Sequence, residues 1–119
     1  MVKSRTPSYG QHFLKDKEII NRILKESNIS SNDVVVEIGP GYQALTKDLI
    51  KCSKKLIAIE IDQDISRKLK EFYAGNKSVT ILSQDVRDFN PGTISDLKDM
   101  DYILVGNLPY YTASFIVRK

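Results

Sequence analysis

From Asp16 to Asn28 the apolar positions Ile19, Ile20, Ile23 and Leu24 recur at helical spacing, and the turn-forming residues from Asn28 to Asn32 stop them. Val34 to Ile38 then runs β-branched and without polar alternation, as a strand does when both faces of its sheet are covered. Leu45, Leu49 and Ile50 return to helical spacing, and Lys55 to Ile61 reads as a second strand. Gln63 to Tyr73 predicts a helix with Ile65, Leu69 and Phe72 turned inward, closed by Gly75 and Asn76. Val79 to Ser83 predicts a third strand, Asn90-Pro91-Gly92 a turn before a short helical stretch, and Tyr102 to Gly106 a fourth strand. Strands alternating with helices at this spacing predict βαβ crossovers, hence an α/β fold: a doubly wound parallel sheet between layers of helix. Thr112 to Lys119 reads as the start of one more helix. One flank of such a sheet is left bare, so the chain is expected to be the N-terminal piece of a longer protein.

With 119 residues, 41% hydrophobic and 28% charged, the chain has the makings of one globular core. No stretch approaches a membrane span and the first 25 residues lack the apolar block of a secretory signal, so the expected compartment is the cytosol. Cys52 is the only cysteine, which excludes an intrachain disulfide and a cysteine-based zinc site; it is expected to be a small buried hydrophobe. The net charge of +3 says little, but Lys3, Arg5, Lys15, Lys17, Arg22 and Lys25 crowd the N-terminus against Asp16 and Glu18. Such an arm can neutralise phosphates, and it is also what a solvated terminus looks like.

Ligands of open α/β sheets sit beyond the carboxyl ends of the strands. Those ends deliver Glu37 with Gly39-Pro40-Gly41, then Glu60 and Asp62, then Gln84 and Asp85, then Gly106 followed by Asn107-Leu108-Pro109-Tyr110-Tyr111. Gly39, Gly41 and Ala44 satisfy G-x-G-x-x-A, and Glu60 follows at about the 20 residues at which dinucleotide folds place a ribose-binding acid. A pyrophosphate, however, needs a row of backbone N–H donors, and Pro40 removes one. Glu37, Glu60 and Asp62 are also poor company for two phosphates. They suit a cofactor with ribose hydroxyls and positive charge but no phosphate, which is S-adenosylmethionine. Its amino-acid part would lie against the glycines, its ribose on Glu60, and its adenine amine on Asp85. Each acid taken singly is also what a helix cap looks like.

The stretch Asn107-Leu108-Pro109-Tyr110 suits an exocyclic adenine amine, whose lone pair is delocalised into the ring. If Asn107 Oδ1 and the Leu108 carbonyl each accept one N–H, the nitrogen is held pyramidal with its lone pair free to attack a methyl group. Pro109 would stiffen the turn, and Tyr110 offers a face for a flipped base. An Asn-x-Pro turn with a core tyrosine is the plain alternative.

Taken in order, GQHFL (10–14), VEIGPG (36–41), IEID (59–62), QDV (84–86) and GNLPYY (106–111) resemble the ribosomal RNA adenine N6-dimethyltransferases. The group in question dimethylates two adjacent adenines near the 3′ end of small-subunit rRNA. The resemblance covers nearly the whole chain. It implies a Rossmann-like S-adenosylmethionine-dependent methyltransferase fold, with strand order 3-2-1-4 for the part present. It further implies cofactor contacts from His12, Leu14, Gly39, Gly41, Glu60, Ile61, Asp85, Val86 and Asn107, a target-adenine site from Asn107 to Tyr110, and no metal. The implied setting is small-subunit biogenesis in the cytoplasm, by a monomer acting on a 30S-type precursor particle.

Gln43 stands where the family's loop often has a third glycine, and is expected to be a tolerated residue at the start of a helix. Family members continue with further strands, another aromatic near the target base and a small helical domain that helps hold RNA. Residues 1–119 alone are therefore expected to bind the cofactor weakly and not to turn over. The related Erm group, which modifies large-subunit rRNA, and a non-catalytic nucleic-acid-binding relative are the alternatives. GPG and NLPYY, where the Erm group has GSG and NIPYN, favour the small-subunit group.

Overall fold

The computed structural model describes residues 17–94, 101–106 and 116–118. In chain order the elements are α1 (Lys17–Ser27), β1 (Val34–Ile38), α2 (Thr46–Cys52), β2 (Lys55–Glu60), α3 (Gln63–Phe72), β3 (Val79–Ser83), two 3-10 turns (Val86–Asp88 and Pro91–Thr93), β4 (Ile103–Gly106) and β5 (Ile116–Arg118). They form one sheet of order β3-β2-β1-β4-β5. The first four strands are mutually parallel, with Glu37 opposite Ala58 on β2 and Val105 on β4.

The order follows from the right-handed crossover rule. Two steps in one direction, β1 to β2 and β2 to β3, put α2 and α3 on the same face. There Val35, Leu45, Leu49, Leu56, Ile103 and Val105 pack together, and Ala58, Leu69 and Ile81 continue the layer. The described parts of the return from β3 to β4 lie on the opposite face, where Phe89, Ile94 and Tyr102 cover Val34, Val36, Ile57 and Ile59. The described part of that return is 3-10 turn rather than α-helix. Pro91 starts its second turn, and Asn90 Oδ1 accepts the Gly92 N–H at 2.9 Å.

Three expectations are corrected. Thr112 to Lys119 does not become a helix where it is described. Ile116–Arg118 pairs antiparallel with β4, in the register Val105 to Ile116 and Ile103 to Arg118. Two β-branched residues favour a strand, and the free edge of β4 offers a ladder of backbone partners, which a costly new helix nucleus does not. The flank expected to be bare is thereby paired. Phe72 is not inward but 62% exposed. Leu69 and Ile65 hold α3 on the sheet, and Phe72, in the last turn, falls beyond the sheet-facing stripe. Cys52 is half-buried rather than buried, its thiol lying 3.8 Å from the Leu49 carbonyl oxygen. Burial pushes that thiol's pKa up, so it is a poor nucleophile.

Candidate functional site

The site is assembled by strand register. Because β1, β2 and β3 are parallel and in step, Gly39, Glu60 and Gln84 leave the sheet at one edge. The backbone ties them there: the Gly39 N–H donates to the Ile59 carbonyl at 2.9 Å, and the Gln84 N–H to the Glu60 carbonyl at 3.2 Å. Gly39 and Gly41 have φ of 72° and 54°, the left-handed region that glycine enters without penalty. Two such turns around the buried Pro40 fold the loop back over β2.

Glu60 braces that loop. It is 6% exposed, its Oε1 accepts the Gly41 N–H at 3.1 Å, and its Oε2 accepts the Asp62 N–H at 3.0 Å. A carboxylate has about four acceptor positions, so one on each oxygen remains for a pair of hydroxyls. Three of the loop's amides are engaged within the protein, Gly39 on Ile59, Gly41 on Glu60 and Gln43 on the Pro40 carbonyl at 2.8 Å, and Pro40 has none, which leaves the Tyr42 N–H as the remaining donor between residues 39 and 43. A pyrophosphate would therefore find no row of free amides, in line with the reading from Pro40.

Glu37 behaves differently from a surface acid. It is completely buried, its Oε1 accepts from the Thr46 hydroxyl at 2.8 Å, and its Oε2 has no partner. Burial is the main reason its pKa is pushed up to about 8; the Thr46 bond lowers it and the nearby Glu60 raises it further. At neutral pH Glu37 is thus mostly protonated in the free protein. Glu37 is therefore a latent rather than a standing charge behind the loop. An unpartnered buried carboxyl oxygen next to a loop whose amides at Gly39, Gly41 and Gln43 are engaged fits a cationic guest and disfavours a phosphate.

Asp62 and Asp85 both cap helical turns, the plainer of the two readings open to them. Asp62 Oδ1 accepts the Asp64 and Ile65 N–H groups at 2.9 and 3.0 Å, starting α3. Asp85 Oδ1 accepts the Arg87 N–H at 2.8 Å. The Arg87 guanidinium also clasps the Asp85 carboxylate, Nε to both oxygens at 3.1 Å and Nη2 to Oδ2 at 2.7 Å. These bonds hold the Asp85 pKa down at about 2. All of its acceptor positions are in use, so an adenine amine would have to displace Arg87. Between these acids Ile61 and Val86 present apolar surface, 65% and 39% exposed, suited to a flat ring.

Gln43 is not merely tolerated at a helix start. Its φ is 70°, so this position does call for glycine. What holds a glutamine there is its side chain: the Tyr73 hydroxyl donates to Gln43 Oε1, tying the loop to the end of α3. Burial and the neighbouring Glu37 raise the Tyr73 pKa. Neither Arg87 nor Tyr73 stood out in the sequence, although an arginine two residues past an end-of-strand acid was a readable signal. His12, Leu14, Asn107, Leu108, Pro109 and Tyr110 lie outside the described residues, and among the described residues no cluster suited to a metal ion occurs.

The parallel sheet and its end-of-strand loops define the Rossmann-like fold of the S-adenosylmethionine-dependent methyltransferases, and solved structures agree. The crystal structure of the 23S rRNA methyltransferase ErmE matches with a TM-score of 0.60 at 20% identity, over 76% of this chain and 46% of that one. A dimethyladenosine transferase from Plasmodium falciparum matches with a TM-score of 0.56 at 24% identity, over 75% of this chain and 41% of that one. The chain belongs to the ribosomal RNA adenine dimethylase family, whose model matches residues 2–119. The ribosomal RNA small subunit methyltransferase A of Fusobacterium nucleatum is 39% identical over 118 residues, 93% of this chain and 41% of the relative. The chain spans about two fifths of the length of the curated relatives it matches.

Proposed function

We propose that the protein carrying this chain uses S-adenosylmethionine to dimethylate the N6 amines of two adjacent adenines in small-subunit rRNA, during small-subunit biogenesis. The observation that carries the reading is the loop of residues 39–43: the amides of Gly39, Gly41 and Gln43 are committed internally, Pro40 has none, and the loop is backed by Glu37, whose buried Oε2 is unpartnered. That loop suits a cationic, phosphate-free cofactor. The similarity to small-subunit methyltransferases supports the choice of RNA over the Erm alternative, whose likeness here is one of fold.

In this reading Gly39 and Gly41 let the backbone approach the cofactor's amino-acid part, and Glu60 takes the ribose hydroxyls on its two remaining acceptor positions. Ile61 and Val86 flank the adenine, whose amine reaches Asp85 once Arg87 has moved. His12 and Leu14 close the site from the N-terminal arm. Bound S-adenosylmethionine supplies an electrophilic methyl group on its sulfonium. The chain's own contribution is to hold the target: Asn107 Oδ1 and the Leu108 carbonyl each accept one N–H of the adenine amine, with Pro109 fixing the turn and Tyr110 stacking on the base. Positioning of this kind needs no strong general base.

The chain then forms the N-terminal part of a methyltransferase domain, in a protein that acts as a cytoplasmic monomer on a 30S-type precursor particle. No described helix is long and apolar enough to cross a membrane, which is compatible with that setting. The test is methyl transfer by the full-length protein and by its Asn107→Ala variant, with calorimetry of both against S-adenosylmethionine and NADH. Transfer to adenine N6 by the parent and its loss in the variant, with cofactor binding kept, supports the reading. Binding of NADH alone, or a variant as active as its parent, overturns it.

A further inference from the structure

Between the far end of the cofactor loop, at Tyr42 and Gln43, and α3 lies an open groove of about 450 Å³. Asp64, Lys68 and Phe72 stand four residues apart on α3 and so form one stripe along it. Tyr42, 85% exposed, and Phe72, 62% exposed, are the two most exposed aromatic rings among the described residues, and they line the same groove. Large rings turned to water at neighbouring positions mark an interaction surface rather than a core.

Neither wall is loose. Phe72 meets the Tyr73 ring edge to face at 4.8 Å and 87°, and the Lys47 ammonium sits 5.6 Å over its centroid. The Tyr42 wall is fixed through its neighbour Gln43, which the Tyr73 hydroxyl holds. One residue, Tyr73, therefore sets the spacing of both walls. Lys68 lines the groove and Lys47 reaches it over the Phe72 ring, while Asp62, with only Oδ1 used in capping, keeps Oδ2 for a hydrogen-bond donor. Aromatic faces with lysines beside them and an acceptor at the floor have the chemistry of a stacking platform for unpaired bases.

We propose that this groove holds an unpaired base of the RNA substrate outside the catalytic centre, stacked against Tyr42 and Phe72, with its flanking phosphates on Lys47 and Lys68. The inference rests on the reading of the protein as an rRNA methyltransferase and adds to it a second point of attachment. Asp62 Oδ2 would accept from a base amine, which favours guanine, adenine or cytosine over uracil. Gly41 alone is shared with the proposed cofactor contacts.

The experiment uses the full-length protein and immature small-subunit particles. Binding of the particles and of S-adenosylmethionine is measured separately for the parent and for Tyr42→Ala, Phe72→Ala, Phe72→Tyr and Lys68→Ala. Losing one stack weakens particle binding by about 5- to 150-fold, while the cofactor affinity of Phe72→Ala and Lys68→Ala stays within about twofold. Phe72→Tyr retains binding, and Lys68→Ala lowers the salt dependence by about one phosphate contact. Tyr42→Ala and Phe72→Ala both binding particles like an active parent overturns the groove while leaving the methyltransferase reading intact. An equal loss of cofactor affinity overturns it too, by making the groove part of the cofactor site, as does capture of a peptide in preference to RNA. A parent that transfers no methyl group is the separate failure of the reading on which the inference rests.

Discussion

Replacing Glu37 with glutamine should make stability less sensitive to pH. In the unfolded chain this carboxyl titrates near its ordinary value of 4.5, whereas folding pushes it up to about 8. Between those values the native state binds a proton that the unfolded state lacks, so stability falls as pH rises through the window and levels off above it. At about 1.36 kcal/mol per unit, the loss between pH 5 and pH 7.5 amounts to roughly 3 kcal/mol. Glutamine keeps an acceptor for the Thr46 hydroxyl and has nothing to titrate. Its amide carries one more donor than the protonated acid, opposite a site where Oε2 already has no partner, a cost of about 1–3 kcal/mol that does not vary with pH. The variant should therefore be less stable than the parent at pH 5 and equal or more stable at pH 7.5. Urea unfolding of both proteins across that range checks this, because every other titrating group cancels in the difference. Parallel stability curves, separated by a constant offset, would refute a buried, protonated Glu37.

Other outcomes follow from the same geometry. A cationic cofactor next to Glu37 should draw its proton off, so binding at pH 7 should release up to one proton in the parent and none in Glu37→Gln; calorimetry in buffers of different ionisation enthalpy reads this directly. Gln43→Ala loses the Tyr73 bond and keeps the left-handed backbone, for a loss of about 1 kcal/mol. Gln43→Gly loses the same bond but relieves roughly 1 kcal/mol of strain and should unfold at nearly the parent's urea midpoint. Equal midpoints for the two variants would mean that the positive φ carries no strain. Arg87→Ala frees the Asp85 carboxylate and should tighten S-adenosylmethionine binding by no more than about fivefold, since exposed ion pairs are weak; weaker binding would contradict competition. Glu60→Ala should raise the cofactor dissociation constant by about 10- to 100-fold, as an acceptor serving both loop and ribose is lost.

The sheet was legible because its strands are short, β-branched and bounded by turn residues: β1 and β3 run over the residues expected, and β2 and β4 differ by one residue at an end. Local pattern could not show β5, which exists only through pairing with β4, a contact between distant parts of the chain. Nor could it turn Phe72 outward, since a residue at the border of an apolar stripe is assigned by tertiary packing rather than by period. At the site, Gly39, Gly41 and Glu60 fell where strand register puts them. The spacing of Gln43 hinted at a missing glycine, but the sign of its φ and its tie to Tyr73 required coordinates. Glu37 was visible as an acid at a strand end, while its depth and its pairing with Thr46, nine residues on, were not. Arg87, two residues past an end-of-strand acid, was a readable partner for Asp85, but that spacing says nothing of a carboxylate filled to capacity.

The central claim, methylation of small-subunit rRNA, is tested most directly by transfer of a labelled methyl group from S-adenosylmethionine. The full-length protein is given immature 30S particles in one reaction and naked 23S rRNA in another, with the labelled nucleosides identified afterwards. The account predicts N6,N6-dimethyladenosine in the small-subunit RNA and none above background in 23S rRNA. Label confined to 23S rRNA, or no methylated adenine in either, would contradict it.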